Sequence, residues 1–557
     1  MIKNFLLSKH KFLKVVSYIF LLLGFYISSI ILYLKYDIVL SPDFEKYYQY
    51  FEKYSGAISF TDLEQGHVYF FINYVFLYVF SSISENLTLN ELINLSVHFV
   101  NSIIFLYGLI GLGKFLSKRF NSKNTYLVLF ILCFLPSTFE LRTTLKPEIL
   151  AFSLIGWLLY YFEIYKNSED KDVMFKIILS FSIIFSSKIS IGFLIFLFFA
   201  IEIILFQKQL LKKTNIKYLF LLIIVFVALN LENYNFNNKY FFDVEHNENY
   251  NNKAELSFFT NINIDDLKNN PNRYFHNESF VSITLFDTFN DFFLLYWNSE
   301  YTELNKDRKE FFQIVKRPNQ EPPLRIKFDK ENYFFTFSGD FDERWDDPNY
   351  LDETRMRISF ITSVIFYFLI IIFSIFKKRS RNMLLSPFLG MLIVSFSALG
   401  LFGTYNFDPL VGDSMKTFYY GYFIALAFAI LASEIFSYEN FKFVFILLMV
   451  ILFLFFLGFP YSYTASIETD IIYKNSLLPT CELNGYLLKD IYNFDKDVRC
   501  DTLYNVNDMF IPLTKVRYID IKLVNIPYIN FIVLFSYLAF HSKVLTSRIF
   551  GGNKINV

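Results

Sequence analysis

Phe105-Leu106-Tyr107-Gly108-Leu109-Ile110-Gly111-Leu112-Gly113-Lys114-Phe115-Leu116-Ser117-Lys118-Arg119 decides how this chain is built. It closes an apolar run that begins at Leu92 and gives way to Lys114, Lys118, Arg119 and Lys123. A helix needs about 20 apolar residues to cross a bilayer, and Leu92–Leu116 is long enough. Basic residues gather on the cytoplasmic side of spanning helices. The cluster therefore sets the orientation of everything around it.

Composition agrees. Of 557 residues, 54% are hydrophobic and 21% aromatic, more than a water-soluble domain carries. Heavy use of Phe, Ile, Lys, Asn and Tyr points to an AT-rich bacterial genome. Formal net charge is zero, so no basic excess suggests nucleic acid, but the charges are clustered.

Toward the N-terminus, Val68–Ser82 is apolar but short and Tyr-rich, which suits a helix lying along the interface. Residues 35–66 form an acidic outer loop, preceded by a first span from about Leu13 to Leu34 with Lys3, Lys9, Lys11 and Lys14 on its cytoplasmic flank. The run is long and no small-residue cleavage site follows it, so it reads as a retained span.

Toward the C-terminus, spans fall at 125–138, 147–165, 175–188, 190–206 and 218–231, with Ser186, Ser187, Lys188 and Ser190 making a tight outer turn. A polar segment, 232–357, follows outside, then spans at 358–376, 384–403, 417–436, 443–459 and 526–541. Lys208, Lys212, Lys213, Lys217, the Lys377–Arg381 cluster and the tail with Lys543, Arg548 and Lys554 all fall inside. The chain thus reads as an all-α polytopic membrane protein of about 12 transmembrane helices. Its parts are a transmembrane module 1–231, the outer segment 232–357, helices 358–459, a second outer segment 460–525 and a last span with its tail, 526–557. Both termini are cytoplasmic in this reading.

Four polar stretches face the outer side. Ser41-Pro42-Asp43-Phe44-Glu45 puts two carboxylates a short step beyond the first span, and Lys46-Tyr47-Tyr48-Gln49-Tyr50-Phe51 reads as an amphipathic aromatic helix holding them near the headgroups. A carboxylate fixed there can accept a hydroxyl proton. In Glu140-Leu141-Arg142-Thr143-Thr144-Leu145-Lys146-Pro147-Glu148, Arg142 and Lys146 offer cationic donors suited to a phosphate, and Pro147 opens a helix. Asp408, Asp413 and Lys416 precede a span, with Tyr419 and Tyr420 beside Lys416. Asp287 and Asp291 stand at helical spacing in a stretch running into Tyr296-Trp297. Bland alternatives are a solvated acidic loop, charged anchors at helix ends, a snorkelling lysine and simple packing of the loop.

Of three cysteines, Cys133 sits in an apolar run, while Cys481 and Cys500 share the last outer loop, where an oxidising exterior allows them to pair. With six His and no metal-ligand spacing, a zinc enzyme is not indicated, and P-loop and GxGxxG signatures are absent.

The order of these features resembles the polyprenyl-phosphate-sugar-dependent membrane glycosyltransferases of the GT-C superfamily, such as protein O-mannosyltransferases and lipid A aminoarabinose transferases. An acid follows the first span, Gly66-His67-Val68-Tyr69-Phe70-Phe71 leads an interfacial helix, a span ends in basic residues, and Lys146-Pro147-Glu148 opens another. The likeness covers roughly residues 10–230. Those families often carry His-Pro-Pro where this chain has His67-Val68-Tyr69. The resemblance implies a GT-C-like fold with interfacial helices in the first outer loop. It implies a polyprenyl-phosphate-linked sugar as donor and an active site on the periplasmic face of a bacterial inner membrane. Asp43 takes the catalytic position with Glu45 as its neighbour. Arg142, Lys146 and Lys416 are candidates for the lipid phosphate, and His67, Glu148, Asp287 and Asp291 for substrate. A divalent metal, Mg or Mn, near Asp43 and Glu45 is left open. An O-antigen-type polymerase or ligase, relying on Arg273, Arg344 or Arg355, is the alternative. A transporter would place more ionisable groups at mid-membrane.

Overall fold

Two helices carry the centre of the protein. Helix α4, as numbered below, is Leu89–Phe120, and α7 is Glu148–Ser168. Their contact is made by small residues: a Cβ added at Gly156 would stand 2.8 Å from Leu112 N and 2.9 Å from Gly108 O. Ser153 donates to Ile104 O, and Trp157 Nε1 donates to Tyr107 O at 2.9 Å. Small residues let helix backbones approach where lipid supplies no hydrophobic drive. Gly156→Ala is expected to destabilise by about 1–3 kcal/mol because the backbones must part. Thermal unfolding of the purified protein checks this, and an unchanged melting temperature would mean the contact is not made.

The computed structural model describes residues 19, 21–34, 38, 44–59, 61, 63, 65–84, 86–120, 125–168, 170–206, 216–241, 257, 260–262, 279, 281–282, 285, 310–314, 325–329, 334–338, 353–377, 384–385, 417–435 and 519–550. In chain order the remaining early helices are α1 Leu21–Leu34, α2 Phe44–Ser55, α3 Val68–Ile83, α5 Thr125–Leu132 and α6 Pro136–Arg142. After α7 come α8 Lys171–Ser187, α9 Ile189–Ile201, continued by a π-helical turn Glu202–Phe206, and α10 Ile216–Asn237. The last helices are α11 Glu353–Phe376, α12 Thr417–Ile435 and α13 Tyr528–Phe550. Within residues 232–357, β1 Glu310–Ile314, β2 Arg325–Asp329 and β3 Phe334–Ser338 form an antiparallel sheet in the order β1-β2-β3, with Phe312 opposite Lys327 and Lys327 opposite Thr336. The fold is α-helical, with this small sheet added.

Among the described residues three helices are long and apolar enough to cross a membrane: Leu89–Phe120, Glu148–Lys166 and Phe220–Asn237. Shorter apolar helices accompany them, among them Leu21–Leu34, Phe360–Phe376 and Tyr528–His541. Burial sorts them: the apolar window of α7 is 83% buried inside the protein, that of α10 only 22%. The outward faces of α1, α10, α11 and α13 expose Leu22, Tyr26, Phe220, Ile224, Phe368, Ile371, Phe531 and Phe535. Apolar surface on that scale, with polar groups inside, supports membrane association.

The span expected at 125–138 is corrected. The helix stops at Leu132, Leu135 is extended, and Pro136 opens α6 as its first residue. Proline lacks an N–H and restricts the residue before it, so the helix cannot run through. Eight residues rise about 12 Å, well short of a bilayer core of about 30 Å. The broken end is capped from within: Thr138 Oγ1 donates to Leu132 O at 3.0 Å and Arg142 donates to Cys133 O at 3.1 Å.

Elsewhere the expected elements appear with shifted ends. The tight turn at 186–190 is present, with Lys188 extended between α8 and α9. Helix α10 continues past 231 to Asn237. The aromatic helix expected from Lys46 to Phe51 is α2, which buries Phe44, Tyr47, Tyr48, Tyr50, Phe51 and Tyr54 and stacks Tyr50 on Phe70 of α3, centroids 4.1 Å apart. At the far ends of α4, α7 and α9, Arg119 pairs with Glu163 and lies 3.8 Å from Glu202. The spans expected at 384–403 and 443–459 lie outside the described residues apart from 384–385.

Candidate functional site

Three turns meet at the end of the bundle opposite Arg119. The first is Gly66-His67, which opens α3. Its Gly66 N–H donates to Ser186 O of the second turn at 2.6 Å. A Cβ at Gly66 would stand 2.6 Å from that same oxygen, so a residue with a side chain would push the turns apart. The third is Arg142–Pro147, between α6 and α7. It is held by α3 and α4: Asn101 Nδ2 donates to Arg142 O at 3.1 Å and Thr144 O at 3.0 Å, and Asn101 Oδ1 accepts from Tyr69 OH at 2.7 Å. Second and third turns are joined by Lys188 Nζ to Glu148 Oε1, 2.7 Å.

His67 is fully buried, edge-on to Tyr50 and Tyr54 and 4.9 Å from the Phe236 ring, with Nδ1 2.9 Å from Tyr54 OH. Its Nε2 has no hydrogen-bond partner among the described residues. Burial first, and the Lys53 ammonium second, push its pKa from 6.5 down to about 3. Between those values the unfolded chain takes up a proton that the folded imidazole refuses, so stability falls as pH drops from about 6.5 toward 3. His67→Gln is expected to flatten that fall in melting temperature, and a slope equal to wild type would count against the buried imidazole.

Lys146 is 3% exposed, one residue before Pro147. Glu148 is 1% exposed in the first turn of α7, where the helix dipole favours a carboxylate. Its Oε2 has no hydrogen-bond partner among the described residues. Arg142, read from the sequence as a donor to a lipid phosphate, is engaged by protein groups. It donates to Ser28 Oγ at 3.0 Å and Ser29 Oγ at 2.7 Å on α1, besides Cys133 O, with its guanidinium 4.6 Å from the Phe105 ring centre. In this conformation it ties α1, α4 and the α5–α6 break together.

The structure thus gathers His67, Arg142, Lys146 and Glu148 around joined turns. Asp43, Lys416, Asp287, Asp291, Cys481, Cys500, Arg273 and Arg344 lie outside the described residues, as do the side chains of Glu45 and Arg355. Helix α2, which carries Glu45, begins one residue after Asp43. Cys133, in the apolar run, is a buried free thiol. Among the described residues no three His, Cys, Asp or Glu side chains stand together as a metal site. Sequence reasoning missed Lys188, taken for a turn residue, and the Tyr69–Asn101 pair. An Asn inside an apolar run was the available signal.

No family model, curated protein or solved structure matches this chain. What it does is inferred from its own residues.

Late segments complete the surroundings. Residues 519–527 run past α2, with Val524 N donating to Tyr54 O at 2.9 Å and Tyr74 OH donating to Lys522 O at 2.8 Å. Glu232 of α10 accepts from Ile529 N at 2.6 Å and Asn530 N at 2.7 Å, setting a carboxylate at the start of α13.

Proposed function

We propose that this chain is a membrane glycosyltransferase moving a sugar from a polyprenyl-phosphate donor to an extracytoplasmic lipid, glycan or protein. The observation carrying the proposal is the buried Lys146 beside the Glu148–Lys188 pair, at the bundle end where α2 stacks on α3. Ammonium groups at helix ends suit a phosphate, and a donor that lives in the bilayer explains an enzyme built of apolar helices.

In the proposed step an acceptor hydroxyl attacks the anomeric carbon while the bond from that carbon to the donor phosphate oxygen breaks. Asp43 takes the hydroxyl proton as general base, with Glu45 beside it. Polyprenyl phosphate leaves with the bonding electrons, and Lys146, with Lys416, stabilises the charge it acquires. Single displacement with inversion follows the GT-C resemblance. The same proposal includes a GT-C-like arrangement of about 12 spans. In it α5 and α6 together make one broken traverse, which membrane interiors tolerate where protein buries it. The site faces the periplasm and both termini the cytoplasm. The test is transfer of labelled sugar from a polyprenyl-phosphate donor pool in membranes, comparing wild type with Asp43→Asn at equal expression.

A further inference from the structure

A second polar cluster lies toward the Arg119 end of the bundle, and the proposed transfer does not use it. Four helices each turn one face to it: Tyr107 and Lys114 from α4, Trp157 and Tyr161 from α7, Lys176 from α8, and Tyr537 and His541 from α13. Residues four apart share a helix face, which sets Trp157 over Tyr161 and Tyr537 over His541. Tyr161 OH lies 2.5 Å from His541 Nδ1, Tyr107 OH 2.8 Å from Tyr537 OH, and the Trp157 and His541 rings are 4.4 Å apart. Lys114 Nζ stands 4.9 Å over Trp157. Lys176 Nζ stands 5.7 Å over Tyr161, and the residue is fully buried.

Lys176 Nζ has no hydrogen-bond partner among the described residues. Asp170 and Asp172, at the start of α8, are exposed. A buried ammonium without a partner is strongly disfavoured, because the charge has lost its hydration and gained nothing in exchange. Around it the cluster holds the phenols of Tyr107, Tyr161 and Tyr537 and the imidazole of His541, and the carboxylates nearest in sequence, Asp170 and Asp172, are exposed. That is the complement of an anion rich in acceptor oxygens. Lys176 is five residues into α8, on the order of 8 Å from the helix start.

We propose that this cluster binds a phosphate-bearing anion, with Lys176 supplying the charge and Tyr161 and His541 the neighbouring hydrogen bonds. The phosphate belongs either to a lipid headgroup or to a free phosphate. The inference does not rest on the transfer reaction.

Trp157 is the reporter. Replacing the two other tryptophans by Phe, W297F and W345F, leaves it alone in the full chain. In one arm, inorganic phosphate is titrated into the detergent-purified protein. In the other, the protein is placed in phosphatidylcholine vesicles with and without phosphatidic acid. A saturable change of Trp157 emission is expected in at least one arm. A response to phosphatidic acid alone assigns a lipid phosphate, and a response to inorganic phosphate assigns a free one. Lys176→Gln is expected to weaken binding by about tenfold or more, the scale of a hydrogen bond to a charged group, while Lys176→Arg retains it. Should Lys176→Gln not fold, Tyr161→Phe must weaken binding in its place. No saturable response in either arm, or a response that these variants leave unchanged, overturns the proposal.

Discussion

Asp43→Asn is expected to lower sugar transfer by about a hundred- to ten-thousand-fold, the usual contribution of a general base. Asparagine keeps the size of the side chain and loses only its capacity to accept the hydroxyl proton. Folding should survive the change. Helix α2, starting at the next residue, is held by its buried aromatic face, with Tyr47 and Tyr50 on Phe70 at 5.2 and 4.1 Å. Its far end is tied to residues 524–525 through Tyr54 O. Expression, membrane insertion and melting temperature of the variant should therefore match wild type while transfer collapses. If Asp43→Asn transfers as fast as wild type, Asp43 is ordinary loop and the proposed mechanism is wrong. Activity then lost on changing Arg273, Arg344 or Arg355 would favour a polysaccharide polymerase.

Local signals in the sequence were read more successfully than distant ones. Helix α2 was legible because its aromatic residues recur at helical spacing, and the described spans were legible because long apolar runs have few other uses. The break at Cys133–Leu135 was written in Pro136, but the apolar count across 125–138 outweighed a single residue. The centre of the candidate site was barely visible. Asn101 reaches Thr144 across 43 positions and Tyr69 meets Asn101 across 32. No periodicity encodes either contact. Arg142 shows the same limit. Its position in a polar turn suggested a ligand contact, whereas the helix break supplies a carbonyl acceptor at Cys133 and α1 a hydroxyl acceptor at Ser28, neither of which the linear chain reveals.

The Glu148–Lys188 pair carries the largest expected effect on stability. It is the one ion pair that joins the α6–α7 turn to the α8–α9 turn among the described residues, and its side chains are 2% and 15% exposed. Removing one member of a buried pair typically costs about 3–5 kcal/mol, because the other charge stays behind without its partner. Glu148→Gln should remove the carboxylate that faces the Lys188 ammonium, and Lys188→Met should leave the Glu148 carboxylate without this cation at the start of α7. The double variant should be more stable than the sum of the two losses predicts, since it buries no lone charge. Reversible unfolding in detergent, followed for all four proteins of this cycle, measures the coupling. Additive losses, or single variants that unfold with wild type, would mean that water rather than the partner satisfies each charge. The same cycle bears on the site. Gly66 N donates to Ser186 O two residues before Lys188, so parting the pair also loosens the turn against which His67 and α3 are seated. Transfer by the single variants should therefore fall by more than the loss of folded protein explains, with Lys188→Arg closest to wild type.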